Sequence, residues 1–386
     1  MKELIKIAHI ADVHWGSINP KKLYNDLKTE FIDKIKAMDD LDMIMILGDY
    51  FDKKIPLTDQ SSILGIKFLN QLCSYAKKRN IEIRLIRGTK THDFNQLDNF
   101  KSLETNFSNF RIINTVSEEV FNGLKFLYVP EEYMNDQEEY YREFKNNSYD
   151  CMYGHGTWDV FAFQNQISES ERMIKGSPVF MYNEWDNVVK YDIIFGHIHV
   201  RNNHKKLQYP GSFERWCYGE ETKKGFLIQE IDLKNEVSFI QFFENTKATE
   251  YTTVTLSNLV NENEDLKETI SKIENLKKDN SNFRVKVSKD MSLDNLNILK
   301  ETFSNENSIR IELQSVKDQV QEKVLQEYDF LGNDVSENIQ AFIKEKFGKD
   351  ISLEEINEIS KEENDDWFIK ILVLSTNKVL RTKNVC

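Results

Sequence analysis

Hydrophobic residues in the first half of this chain fall into short dense blocks, and five of those blocks stop on polar clusters of one kind. The blocks are IKIAHI before Asp12-Val13-His14, DMIMIL before Gly48-Asp49-Tyr50-Phe51-Asp52, EIRLIR before Gly88-Thr89-Lys90-Thr91-His92-Asp93, YDCMY before Gly154-His155, and DIIF before Gly196-His197-Ile198-His199. Apolar runs of about four to eight residues bounded by glycine are the pattern of strands buried on both faces. Layered α/β folds collect ligands at the carboxyl ends of such strands, so the five clusters predict one site.

Between the blocks, 21–38 and 58–78 carry helical periodicity, which gives the rhythm of βαβ units. The runs at 123–129, 206–209, 225–231 and 236–243 are short and closely spaced strands, implying a mixed sheet or two stacked sheets. Residues 1–245 read as the catalytic domain. From 246 to 316 a smaller rhythm follows: TEYTTVTL as strand, EDLKETISKIENLKK as helix, FRVKVS as strand, SLDNLNILKETF as helix with Ser292 as N-cap, and SIRIELQS as strand. This predicts a separate βαβαβ module. In 317–386, one helix ends at Gly348 and a second opens on the capping box Ser352-Leu353-Glu354-Glu355. So short a piece buries too little surface alone, so it is expected to dock on its own chain or on a partner.

Composition turns this pattern into chemistry. The chain has 7 histidines, and His14, His92, His155, His197 and His199 all lie in the clusters. Imidazole mixed with carboxylate is the donor set of borderline divalent metals, so a metal centre is the leading reading. The 4 cysteines (Cys73, Cys151, Cys217, Cys386) are far apart with no CxxC pair, which indicates neither a disulfide framework nor a structural zinc site and fits a reducing cytoplasm. A net charge of -13 argues against a general nucleic-acid-binding surface. Two divalent ions would reverse the sign locally at the pocket. No apolar run of about eighteen residues occurs, and the start MKELIKIAHI has no basic segment or cleavage site, so neither a membrane span nor export is expected.

Taken singly, the clusters are ambiguous. Asp12 and His14 lie two apart at a strand end, which puts both on one side, although a turn aspartate beside a surface histidine has the same spelling. Asp49 suits either a bridging ligand or a helix N-cap. The HxH of His197 and His199 is the most specific piece. His9, inside the first strand, reads as a core histidine. His204 lies in a basic run that suits either a phosphate contact or a charged hairpin tip, and Trp15, Trp158, Phe161 and Phe163 suit either base stacking or core.

Together and in this order, the clusters resemble the motifs DxH, GDxxD, GNH[DE], GH and GHxH of the calcineurin-like metallophosphoesterases. GDYFD, GHGTWDVFAF, YPGSFERWCYGE and the small module behind them further resemble the SbcD-type exonuclease subunits of double-strand-break repair complexes, including bacteriophage recombination nucleases. The resemblance implies an α/β fold: a four-layer α/β/β/α sandwich with a small α/β capping domain, which would bind DNA, and a helical C-terminal tail. It implies two divalent ions, manganese first and magnesium as the alternative. Asp12, His14, Asp49 and His199 would hold one ion and Asp49, His155 and His197 the other, with Asp49 bridging. His92 would act on the leaving group, with Asp93 orienting its ring and Asp52 behind the ligands.

The third motif departs from the family pattern. It is two residues longer and lacks the ligand asparagine, and an alignment anchored on His92 puts Thr91 in that place. Lys90 then suits either a phosphate contact or solvent. The function implied is hydrolysis of phosphodiesters at DNA ends, beside an SMC-like coiled-coil ATPase of the SbcC type docked on helices at 336–347 and 352–361. A homodimer would form through 58–78, whose apolar residues are Ile63, Ile66, Leu69 and Leu72. The alternatives are a small-molecule phosphodiesterase or protein phosphatase, and a catalytically weak DNA-end scaffold.

Overall fold

The computed structural model describes residues 2–93, 95–162, 177–220, 222–256, 265–276, 281–288, 291–306 and 308–314. The strands are β1 (Leu4–Ile10), β2 (Met43–Leu47), β3 (Glu82–Ile86), β4 (Phe110–Ile113), β5 (Ser117–Phe121), β6 (Leu124–Val129) and β7 (Cys151–His155). They continue as β8 (Thr157–Trp158), β9 (Val179–Phe180), β10 (Ile193–Gly196), β11 (Asn202–His204), β12 (Leu207–Tyr209), β13 (Gly225–Asp232) and β14 (Val237–Glu244). Two six-stranded sheets result, ordered β14-β13-β1-β2-β3-β4 and β11-β12-β10-β7-β6-β5.

In the first sheet β1, β2, β3 and β4 are parallel, and β13 and β14 close its edge antiparallel. In the second β6, β7, β10 and β12 are parallel, with β5 and β11 antiparallel at the two edges. Residue alternation sorts each strand's side chains to two faces. Ile44 and Ile46 point to the helices outside the first sheet, while Met43, Met45 and Leu47 meet Phe126, Tyr128, Cys151, Tyr153 and Ile194 between the sheets. Leu127, Val129, Met152, Ile193 and Phe195 pack with Trp158 and Trp185 on the far face. The mixed four-layer α/β sandwich expected from the sequence is therefore present, held by side chains that each contribute roughly 1.5–3 kcal/mol on burial.

Helix boundaries follow from capping. The helix Pro20–Asp26 has proline in its first turn, and the Asn19 side chain accepts from Lys21 N and Lys22 N; the path continues through a π-helical Leu27–Ile32 to Asp33–Lys36. The helix Gln60–Arg79 starts at Asp59, whose side chain accepts from Ser61 N, and stops at Asn80 in the left-handed conformation with φ 55°. It buries Gly65, Phe68, Leu69, Leu72, Cys73 and Ala76. Ile63 stays 51% exposed.

Contacts divide the chain into two units, one of 1–254, 267–285 and 303–310, the other of 255–266, 286–302 and 311–386. Beyond β14, strands β15 (Glu250–Thr255), β16 (Ser281–Val287) and β17 (Ile309–Leu313) form a three-stranded sheet in that order. The helices Leu266–Glu274 and Leu293–Thr302 alternate with them along the chain. Ser292 caps the second helix, its hydroxyl accepting from Asn295 N at 3.2 Å. The expected docking helices of 317–386 lie outside the described residues. Cys73 and Cys151 carry free thiols, and among the described residues no helix is long and apolar enough to cross a membrane.

Candidate metal centre

The carboxyl ends of β1, β2, β3, β7 and β10 meet at one end of the two sheets. The loops after β1 and β2 are laced together: Asp12 N donates to Gly48 O at 3.3 Å, His14 N to Asp49 O at 3.0 Å and Trp15 N to Tyr50 O at 2.9 Å. Asp12, His14 and Asp49 have φ of 49°, 49° and 46°, and His197 has φ of 103°. Non-glycine residues there are strained by roughly 1–3 kcal/mol each and persist where the surroundings over-determine them. Asp12 and His14 thus lie beyond the strand. A left-handed turn, and not the strand alternation expected for them, aims them into the site. Gly48 has φ 79°, and a Cβ there would lie 2.3 Å from His155 Nδ1, so only glycine fits.

Three donor sets come together, each with its ligand atoms within 4.8 Å of one another: Asp12, His14 and His199; Asp49, His155 and His197; and His14, Asp49 and His92. All but His92 are buried. One Asp49 oxygen, Oδ2, lies 3.6 Å from His14 Nε2 and 3.3 Å from His155 Nε2, so it faces an imidazole of each of the first two sets. The backbone holds the carboxylates in place: Asp12 accepts from His197 N at 3.0 and 3.2 Å, and Asp49 Oδ1 from Thr89 N at 2.6 Å.

Ring tautomers follow from the outer partners. His155 Nδ1 donates to Leu47 O at 2.8 Å, which turns Nε2 toward Asp49. His199 Nδ1 donates to Glu220 Oε1 at 3.0 Å, and Glu220 is itself held by the buried Lys224 at 3.2 Å. Such outer partners are those of metal-ligating histidines. Burial lowers the pKa of His199 to about 3 against the pull of Glu220. Burial also opposes protonation of His155, but the nearby charge of Asp49, with those of Asp12 and Glu131, raises it to about 10. Burial works against ionisation of Asp49, yet the His155 charge holds its carboxyl well below the usual range.

A divalent cation fits this set. His14 is buried with no hydrogen-bond partner on either ring nitrogen, although Asp49 and Asp52 oxygens lie 3.6 Å from them. A buried polar group in that state calls for a partner, and an ion between these carboxylates would supply one. Because the His155 Nε2 proton must leave before the nitrogen can bind an ion, Mn2+ binding near neutral pH is expected to release about one proton from this group. Calorimetric titrations in buffers of different ionisation enthalpy measure it, and a buffer-independent enthalpy would contradict it.

Other expected residues are placed differently. The His92 ring is half-buried, and its Nδ1 donates to the Asp52 backbone carbonyl. Asp93 does not orient that ring: its two oxygens accept from Phe51 N at 3.1 Å and Gly88 N at 2.8 Å, so it secures the loop, with burial and the Asp49 charge pushing its pKa up. Thr91 is exposed and does not take the asparagine's place. Thr89 does face the site, its hydroxyl 3.1 Å from Asp49 Oδ2. The two extra residues form a helical turn that an alignment anchored on His92 could not register. Lys90 is exposed, with Nζ 6.0 Å from the Tyr133 ring centre.

Trp15, Trp158 and Phe161 are core, and Phe163 lies outside the described residues. The aromatic at the site is Trp216, half-buried, its ring 4.2 Å from that of His14 and 4.5 Å from that of His199. His9 is a buried core histidine paired with Gln229 at 3.0 Å. His204 packs on Tyr182 with ring centres 4.9 Å apart, in the β11–β12 hairpin. Glu131, just after β6, was also missed; its one sequence signal is the acidic pair closing the apolar run KFLYVP.

No curated protein matches this chain. Among solved structures, a protein of Thermus thermophilus is 10% identical, covering 62% of this chain and 100% of that chain with a TM-score of 0.35. The glutamine-dependent NAD+ synthetase from Acinetobacter baumannii, in complex with adenosine diphosphate, is 11% identical, covering 89% of this chain and 72% of that chain with a TM-score of 0.33. Likenesses this low carry no argument. Residues 5–229 match the calcineurin-like phosphoesterase family, more than half of the chain. The chain therefore belongs to the calcineurin-like phosphoesterases, hydrolases of phosphate esters that work with divalent metal ions.

Proposed function

We propose that this chain is a metal-dependent DNA nuclease, cutting phosphodiesters at DNA ends as the subunit of an ATPase–nuclease complex in repair or recombination. The observation that carries this reading is the Asp49 carboxylate shared between two imidazole sets, with Trp216 half-buried against one of them. Asp12, His14, Asp49 and His199 would hold one ion, and Asp49, His155 and His197 the second. Bound there, the ions would supply Lewis acidity toward a phosphoryl oxygen.

The chain's own groups do the rest. With Nδ1 held by the Asp52 carbonyl, the His92 ring leaves Nε2 for the departing oxygen. Trp216 offers a face on which a terminal base can stack. The net charge of -13 supports a shared task, in which an ATPase partner supplies most of the phosphate-binding surface. The exposed Ile63 on the helix Gln60–Arg79 is compatible with a homodimer through that helix.

The test uses the purified chain with Mn2+ or chelator, end-labelled oligonucleotides, and bis(4-nitrophenyl) phosphate as the small diester. DNA is expected to be cut only with metal. Trp216→Ala is expected to raise KM for DNA about 5- to 100-fold, the equivalent of stacking one base, and to leave KM for the small diester within about twofold. Hydrolysis of the small diester with DNA left intact would replace this reading with the small-molecule one. Inertness toward both would leave the DNA-end scaffold.

A further inference from the structure

We infer that Glu131 is a metal ligand of the Asp49–His155–His197 set, standing in for the asparagine that the third motif lacks. The inference rests on the dinuclear reading above. Glu131 follows β6, which lies beside β7, and its amide donates to Arg87 O at 3.3 Å, tying it to the end of β3. Its side chain is fully buried, and Oε2 lies 3.6 Å from His155 Nε2, 3.6 Å from His197 Nδ1 and 3.1 Å from Thr89 Oγ1. Ligands about 2.1 Å from one ion lie about 3.0–3.4 Å from each other, so these separations are close to those of a shared coordination shell.

One oxygen of this carboxylate is satisfied within the protein, whereas Oε2 is turned toward the two imidazoles. Among the described residues no lysine or arginine reaches it; Tyr133 donates to Oε1 at 2.5 Å. The neighbouring Glu132 differs, with Arg87 at 4.0 Å and donors from Val116 N and Tyr140. Thr89 has one hydroxyl proton and four facing groups: Asp49 Oδ2 at 3.1 Å, Glu131 Oε2 at 3.1 Å, His155 Nε2 at 3.3 Å and His197 Nδ1 at 3.5 Å. That one proton cannot serve both carboxylates. A cation among them satisfies all four, and buried charges are ordinarily paired or bound to metal. The missing asparagine is thus answered from a different strand end, and the second site gains an anionic ligand in place of a neutral one.

The test is Mn2+ titration of the full chain, read as the number and affinity of bound ions, with low-temperature electron paramagnetic resonance for a spin-coupled pair. Wild type is expected to bind two ions as a coupled pair. Glu131→Gln and Glu131→Ala are expected to weaken one of the two by about 10-fold or more and to replace the coupled signal with that of a single ion. Melting in chelator checks folding: Glu131→Gln keeps the volume and removes a buried charge, so its midpoint is expected to be no lower than wild type. Variants that bind both ions within about twofold of wild type would overturn the inference and leave the dinuclear reading standing. A wild type that binds fewer than two ions would overturn both.

Discussion

Asp49→Asn is expected to bring Mn2+-dependent diester hydrolysis down to background, a loss on the order of 10³-fold or more, about 4 kcal/mol of transition-state stabilisation. The change is isosteric, and an amide oxygen can still accept from Thr89 N, so the loop after β3 keeps its anchor. What disappears is the charge that faces His14 and His155 at once. Both ion sites are therefore expected to weaken together, unlike the single-site effect expected at Glu131. Rates on bis(4-nitrophenyl) phosphate, with metal content measured on the same sample, check this. Two ions retained at wild-type affinity would mean that Asp49 bridges nothing.

His92→Ala is expected to lower kcat by about 10²–10⁴-fold with both ions still bound, the range for losing a positioned acid. The backbone around it is held independently of the ring: His92 N donates to Thr89 O at 3.0 Å, and its carbonyl accepts from Gln96 at 3.1 Å. Truncation should therefore not move Thr89 or Asp49. The loss is expected to shrink as the leaving group improves, being large for DNA and small for a nitrophenolate, which departs without a proton. Equal losses on both substrates, or a lost ion, would assign His92 to metal binding, which its closeness to His14 and Asp49 also permits.

All the described strands but β4, β5, β8, β9 and β11 were legible from the chain, as were the Asp and His clusters at the ends of five of them, because burial on two faces imposes continuous apolar runs and glycine marks where they end. DxH and HxH were legible as pairs, but the reason for their convergence was not, since nothing in Asp12-Val13-His14 announces left-handed backbone. Asp93 was misread because adjacency to His92 says nothing about which loop amides a buried carboxylate will meet. The strands β15–β17 and the two helices between them were legible for the same reason as the larger sheets, their apolar positions alternating at plain periods.

By itself, then, the sequence determined that Asp and His gather at the carboxyl ends of buried strands, and that this chemistry suits divalent cations and phosphate esters. The tertiary structure decided which groups meet. Glu131 reaches His155 and His197 only because β6, β7 and β10 are parallel neighbours, and Asp12 is anchored by an amide 185 residues away. Trp216 closes on His14 and His199 from another distant loop. Local periodicity encodes faces and ends of strands, whereas pairing across sheets is a property of the whole packed core, which no short stretch of residues carries.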